Sequence, residues 1–454
     1  MIPTFSEPRR MLIHRFDSLP LKALHVALAC GCAVGLGIDL LEISVSNALS
    51  AVFSSPPYAL SPDHLAWLLA SAYIGAIAGA PLAGWFADRK GLQPALLIVF
   101  LWLGVTSVLA AARSNILWFT SFRFLSGVSL GACPPLIIAY LTSVAPPRYR
   151  GLMILWVCGL AYLVPPFGVF LIRWLTPLQP YGIEGWRWPF LLAGVASLMV
   201  GLIFLRLPES PRWLTQMGRD RLAARVCDRF ERSPTLSLLD RWLETRSPAQ
   251  SDRLRTAGTL ASVSRAGFRY VIPFVVALYF LHPWMTSTFQ LLTGPMLLER
   301  GYDLRDVLLY VALSTFGPAI GTFLAAFLVD GTSRRVSLLL TAALMASALI
   351  AFFVFDGRVM LAGAVITFAV GVAVYTPIMT MHGSELIPTA IRGSATGFAW
   401  AANRLSAALV PIAMIPLVGA YGSVMVAWVV ACALLLSIIL AASGPRGAAG
   451  AAVE

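Results

Sequence analysis

Charge is scarce in this chain. Asp, Glu, Lys and Arg make up 12% of its 454 residues while 58% are hydrophobic, against about 25% charged in an ordinary soluble domain. A water-soluble globule of this size would lack the polar surface to cover itself, so a bilayer must supply the missing apolar solvent. Lysine is scarcer still: Lys22 and Lys90 are the only two among 33 basic residues. A net charge of +12 is one that nucleic-acid-binding proteins also carry. The arginines, however, crowd short gaps between apolar runs and one central segment, as in membrane-protein loops and not as on a nucleic-acid face. The six cysteines form no C-x-x-C pair, and all but Cys227 lie in apolar runs, so neither a zinc site nor a disulfide framework is implied. No nucleophile–base set, phosphate loop or metal cluster is present, so neither an enzyme nor a bound cofactor is expected. Arg9-Arg10 is followed by no small-residue cleavage site and reads as a cytoplasmic anchor, not an export signal.

What is present is apolar length. A spanning helix needs roughly 20 mostly apolar residues. Twelve are predicted, near 22–48, 65–86, 93–112, 115–143, 152–175, 187–207, 270–297, 307–329, 337–355, 359–381, 392–417 and 421–442. With the N-terminus in the cytoplasm, 25 of the 33 basic residues fall on that side and 6 outside, while Arg123 and Arg404 lie within spans. That asymmetry predicts an N-in, C-in topology. The stretch 208–269 is the one long polar segment, with helical spacing around 218–230 and 236–245. It reads as a cytoplasmic linker between an N-terminal six-helix half (1–207) and a C-terminal half (270–454). An internal repeat supports the halves: Asp88 and Asp330, Pro146 and Pro388, and Arg150-Gly151 and Arg392-Gly393 are each 242 residues apart. The same offset sets Ser143 opposite Glu385.

Gly84-Trp85-Phe86-Ala87-Asp88-Arg89-Lys90-Gly91 follows span 2. Gly84 suits close helix approach, Asp88 can cap a helix or pair with Arg, and Gly91 permits a tight turn. The segment resembles the loop signature of the major facilitator superfamily, G-x-x-x-D-R/K-x-G-R/K-R/K, departing from it at Leu92 and Gln93. A second copy runs from Asp330 to Arg334-Arg335 without the first Gly. Pro208-Glu209-Ser210-Pro211-Arg212-Trp213-Leu214 follows span 6, Glu385 to Arg392-Gly393 links spans 10 and 11, and Arg123-Phe124-Leu125-Ser126-Gly127 lies in span 4. All resemble the sugar-porter-like branch, which includes the aromatic-acid and nicotinate metabolite:proton symporters. The resemblance implies an all-α membrane protein with two pseudo-symmetric six-helix bundles and alternating access. Charged loops would latch the halves: Gly84, Asp88, Arg89, Gly91, Arg150, Glu209, Arg212, Asp330, Arg334, Glu385 and Arg392, with Arg123 assigned to the latch or to helix packing. Relatives often carry Glu where this chain has Ser143, so the latch is expected to be asymmetric.

Ionisable groups inside a bilayer cost about 2.5–3.5 kcal/mol on insertion scales and are functional by default. Asp39 and Glu42 lie three apart in span 1, on one helical face. One or both are proton-coupling candidates, the alternative being that Glu42 only hydrogen-bonds a neighbouring helix. Their spacing is similar to the D-G-F/Y-D motif of aromatic-acid symporters, with Leu40 and Leu41 replacing the inner pair. Arg404 can hold a carboxylate bidentately or act as counter-ion to Asp39 or Glu42. Asn403, Gln290, Tyr73, Trp284 and Tyr375 are further substrate-binding candidates, with Tyr162 and Phe289 as possible aromatic lining. His282 and His382 suit packing as well as a proton or substrate role. The expectation is a proton-coupled symporter of a small organic anion, an aromatic or heterocyclic carboxylate, acting as a monomer in an inner (plasma) membrane. A sugar or polyol carrier, an organic-cation or drug exporter, and a non-transporting membrane receptor remain as alternatives.

Overall fold

The computed structural model describes residues 7–113, 115–147, 149–235, 265–331, 334–387 and 392–443. All its regular elements are helical: α1 (Glu7–Asp17), α2 (Ala23–Ser54), α3 (Pro62–Lys90), α4 (Leu92–Ala111), α5 (Ile116–Val144), α6 (Arg150–Ala161), α7 (Val164–Leu175), α8 (Trp188–Phe204), α9 (Pro211–Gln216) and α10 (Asp220–Arg232). After the linker come α11 (Arg265–Glu299), α12 (Leu304–Ser314), α13 (Gly317–Gly331), α14 (Arg334–Val354), α15 (Arg358–Leu386), α16 (Arg392–Tyr421) and α17 (Val424–Ser443). Twelve helical stretches among the described residues are long and apolar enough to cross a membrane, as the hydropathy predicts.

Two spans are broken where the sequence supplies the reason. Span 5 divides into α6 and α7 at Tyr162-Leu163, just before Pro165-Pro166, whose missing N–H groups interrupt the ladder. Span 8 divides into α12 and α13 ahead of Gly317-Pro318. The polar element α1 was not expected. In the linker, α10 realises the helical spacing near 218–230, whereas the second stretch, 236–245, lies outside the described residues.

The repeat extends far beyond three motif matches. Helices α2 and α11, α3 and α12, α4 and α14, α5 and α15, and α6 and α16 each begin 242 residues apart. Packing repeats with it. Gly75 and Gly79 of α3 lie against the α5 backbone at Phe124 and Val128, and their counterparts Gly317 and Gly321 lie against Ala369 and Ala373 of α15. Between helices in lipid, small residues permit backbone approach where no hydrophobic drive is available.

The spans define two ends of the bundle, one bearing the linker and one far from it. At the far end the halves touch closely: the Ser50 hydroxyl donates to the Leu291 carbonyl at 2.6 Å, Arg173 Nε to the Arg305 carbonyl at 3.0 Å, and Gly294 lies under Ala51. Toward the linker end, Phe323 meets Gly159 and Trp156, but Gly84, Gly151 and Gly397 face open space. Cys30 and Val34 of α2 are also exposed there. Gly84 therefore does not serve the close helix approach expected of it, because the backbone beside it is not met by a neighbour.

At Gly127 an added Cβ would lie 2.1 Å from the Ala72 carbonyl oxygen, whereas at Gly363 it would meet nothing within 4 Å. Gly127→Ala should therefore destabilise the purified protein by about 1–3 kcal/mol, and Gly363→Ala should leave it unchanged. Thermal unfolding of both variants in one detergent checks this; equal midpoints would contradict the packing described.

Candidate functional site

The centre of the first half holds a buried ion pair. The Arg123 guanidinium of α5 bonds the Glu42 carboxylate of α2, and the two residues are only 2% and 1% exposed. The hydroxyl of Ser107 donates to the other carboxylate oxygen. Arg123 also donates to Ser46 Oγ at 2.5 Å and lies over the Phe190 ring. Burying two charges costs several kcal/mol per ion, recovered only when their remaining polar atoms are satisfied. The two serines contribute that satisfaction. Arg123, expected at the latch or in helix packing, joins α5 to α2 as the partner of Glu42. Glu42 takes this arginine and not Arg404.

Asp39 lies one turn nearer the linker end. It is fully buried, and neither carboxyl oxygen has a nitrogen or oxygen hydrogen-bond partner. The weakly donating thiol of Cys133 lies beside it, and the charges of Arg404 and Glu42 act on it. Arg404 of α16 approaches from the second half. Among the described residues it makes no ion pair or hydrogen bond, only a ring contact with Trp400 at 5.9 Å.

Arg123, Arg404, Tyr73 and Ser46, with apolar walls including Ile43 and Leu130, enclose a cavity of about 10 Å³. That is room for about one water, so admitting a substrate requires the surrounding helices to move. A larger recess of about 510 Å³ at the far end, beside Arg300, Tyr302 and Asp356, is open at the surface. Its arginine is already held by the Phe352 carbonyl at 2.9 Å, and it lies away from the central charges.

In the second half, polar groups cluster outside the cavity lining. His282 Nε2 lies 2.9 Å from the Thr376 hydroxyl, and the Asn403 amide donates to the Tyr279 carbonyl at 2.9 Å and lies 3.4 Å from His282 Nδ1. Of the aromatic candidates only Tyr73 lines the cavity. Tyr375 is fully buried with its hydroxyl on Ser437 and its ring stacked on His282. Phe289 is buried between Phe352 and Phe368. Trp284 packs against the core, Tyr162 marks the α6–α7 break, and Gln290 is half-buried outside the cavity lining. His382 is buried beside Phe274. Ser46, Ser107 and Thr376 were not anticipated. Ser46 carried a signal, lying one helical turn beyond Glu42 on the same face; Ser107 carried none.

The latch candidates near the linker end are only partly brought together. Gly91 takes φ +111°, and an added Cβ there would strike the Glu209 carboxylate at 2.0 Å. That carboxylate accepts from the backbone N–H of Gln93 at 3.1 Å and of Ser210 at 2.7 Å. Burial pushes the Glu209 carboxyl upward while those N–H groups oppose the shift. Arg89 stacks on Trp85 and Asp88 is exposed. Arg212 donates to the Thr142 and Ser143 carbonyls and pairs with Asp17 of α1 at 2.6 Å. Where the expected acid is Ser143, α1 thus supplies one from elsewhere. Arg150 starts α6, and Arg334 starts α14. The side chains of Asp330, Glu385 and Arg392 lie outside the described residues.

Comparison with known proteins agrees with this architecture. The profile of the family described as "Sugar (and other) transporter" matches residues 38–443. The chain is 24% identical over 422 residues to an arabinose-proton symporter of Bacillus subtilis, covering 88% of each. It is 25% identical over 419 residues to the niacin transporter NiaP of Acinetobacter baylyi, covering 88% of this chain and 89% of the other. It is also similar to the partially occluded inward-open xylose transporter XylE of E. coli, with a TM-score of 0.74 at 16% identity over 95% of this chain and 100% of that one.

Removing one member of a buried pair leaves the other charge uncompensated, at a cost of about 3–5 kcal/mol. Arg123→Leu should therefore lower the unfolding midpoint strongly, and adding Glu42→Leu should restore much of the loss. A double variant no better than Arg123→Leu alone would show that the pair is not the buried unit described.

Proposed function

Since the chain belongs to the sugar (and other) transporter family, and is thus a multi-span membrane transporter and not an enzyme, we propose that it couples proton entry to uptake of a small organic anion across a bacterial inner membrane. We place the linker end in the cytoplasm, on the strength of the basic-residue asymmetry. The observation that carries the anion reading is the cavity lining: two guanidiniums, Arg123 and Arg404, face it, and among the described residues Arg404 makes no ion pair.

The coupling follows from charge. With Glu42 ionised, Arg123 is neutralised, and Arg404 is the cavity cation that makes no ion pair among the described residues. A proton taken up by Glu42 releases Arg123, and the cavity then presents two such cations. An anion binds the protonated form more tightly, and by linkage the bound anion tightens proton binding to the same degree. Proton and carboxylate together add no net charge to the site, so the loaded form avoids the cost of carrying an uncompensated charge through the bilayer centre. Asp39, one turn nearer the linker end, relays the proton toward that side. Tyr73 in the cavity wall suits a flat aromatic carboxylate. The cross-half contacts at the far end suit a state closed on that side.

A sugar substrate is the second reading, favoured by the arabinose- and xylose-carrying relatives. The group formed by His282, Thr376 and Asn403 would then bind hydroxyls. An organic cation fits poorly beside two guanidiniums.

Uptake into proteoliposomes of small carboxylates, pentoses and organic cations, with and without an inward proton gradient, separates these readings. Gradient-driven carboxylate uptake is expected. Arg404→Gln should weaken it by about 10- to 100-fold in KM, the worth of a hydrogen bond to a charged group. Pentose uptake alone, or carboxylate uptake indifferent to Arg404→Gln, would overturn the anion reading.

A further inference from the structure

The helix α10 sorts its charges by face. At about 100° per residue, Ala223, Cys227 and Phe230 share one face, and all three are buried. The acids lie on one flank, and each meets α1: Asp220 pairs with Arg9 at 3.0 Å, Asp228 with Arg15 at 3.0 Å, and Glu231 with the same Arg15. Phe16 of α1 packs edge-on to Phe230 at 5.2 Å and seals that side. Arg221, Arg225, Arg229 and Arg232 fall within about 80° of arc, opposite the buried face, and all four are exposed.

The acids that could neutralise these arginines from within α10 are therefore spent on the neighbouring helix. Among the described residues, Arg221, Arg225 and Arg232 have no ion pair. The position of the stripe follows from Arg229, whose guanidinium donates to the Arg206 carbonyl at 2.9 Å. Arg206 directly follows the last turns of span 6, where Leu202, Ile203 and Leu205 are exposed as lipid-facing residues are. This tie fixes α10 to the end of an apolar span, at the depth where headgroups begin. Long arginine side chains reach laterally from such a position.

We propose that the Arg221–Arg225–Arg232 stripe of α10 binds anionic phospholipid headgroups of the leaflet at the linker end. The occupant fits by charge, because an anionic leaflet attracts basic side chains at its surface at about fivefold in affinity per residue. It fits by place, because the stripe borders the lipid-exposed end of span 6. The role goes beyond substrate transport and does not depend on the substrate's identity.

The test uses the full chain in a neutral detergent, titrated with phosphatidylglycerol or with phosphatidylcholine while thermal unfolding is followed. Phosphatidylglycerol should raise the midpoint, phosphatidylcholine should not, and salt should weaken the effect. In R221Q/R225Q/R232Q, which spares the structural Arg229, the phosphatidylglycerol concentration giving half the shift should rise at least about tenfold. R221K/R225K/R232K should keep the response, which separates loss of charge from damage to the helix. Inorganic phosphate should not replace the lipid. An equal response in the glutamine and lysine variants, or equal stabilisation by both lipids or by phosphate, would overturn the proposal.

Discussion

Charge placed where a membrane has no water must be neutralised by something in the protein, and the rest of this molecule is arranged around that requirement. Glu42 and Arg123 neutralise each other, with Ser107 and Ser46 completing their hydrogen bonds. Among the described residues Arg404 makes no such pair. The pair is stable as it stands, while the lone arginine is the position at which an external anion gains most. A transporter needs both conditions, because a site fully satisfied without substrate has no reason to bind it.

The scaffold that holds these groups is symmetric, and the groups are not. The 242-residue repeat governs where helices start and where glycines let helices touch. Applied to the central charges it fails: Trp284 stands opposite Glu42, Val365 opposite Arg123, and Tyr162 opposite Arg404. Two copies of one packing solution thus form a hinged pair, and departures from the repeat mark where chemistry was placed. The acids and Arg123 lie on one side of the interface, and His282 and Arg404 on the other. Motion of one half against the other must change the field that each set feels.

The spans were legible because length and hydropathy are local, and a bilayer penalises every other arrangement. The break in span 5 was also written in the chain, at Pro165-Pro166. Helix α1 was not, since its residues are polar and its support comes from Asp220, Asp228 and Glu231, more than 200 positions away. Asp39 and Glu42 could be picked out because ionisable groups are costly in spans. Their partners could not. Glu42 had two arginines within spans to choose from, and only the packing of α2 against α5 selects Arg123, 81 residues on. Of the expected aromatic lining only Tyr73 faces the cavity, for a related reason: Phe289 and Tyr375 satisfy the same spacing rules whether they face a site or a core.

The most direct test of the central claim is proton movement itself. Wild-type proteoliposomes, given a carboxylate they accumulate, should alkalinise the outer medium as substrate enters. Glu42→Gln should abolish that alkalinisation while still exchanging labelled for unlabelled substrate across the membrane. Substrate-dependent proton uptake that persists in Glu42→Gln would contradict the account.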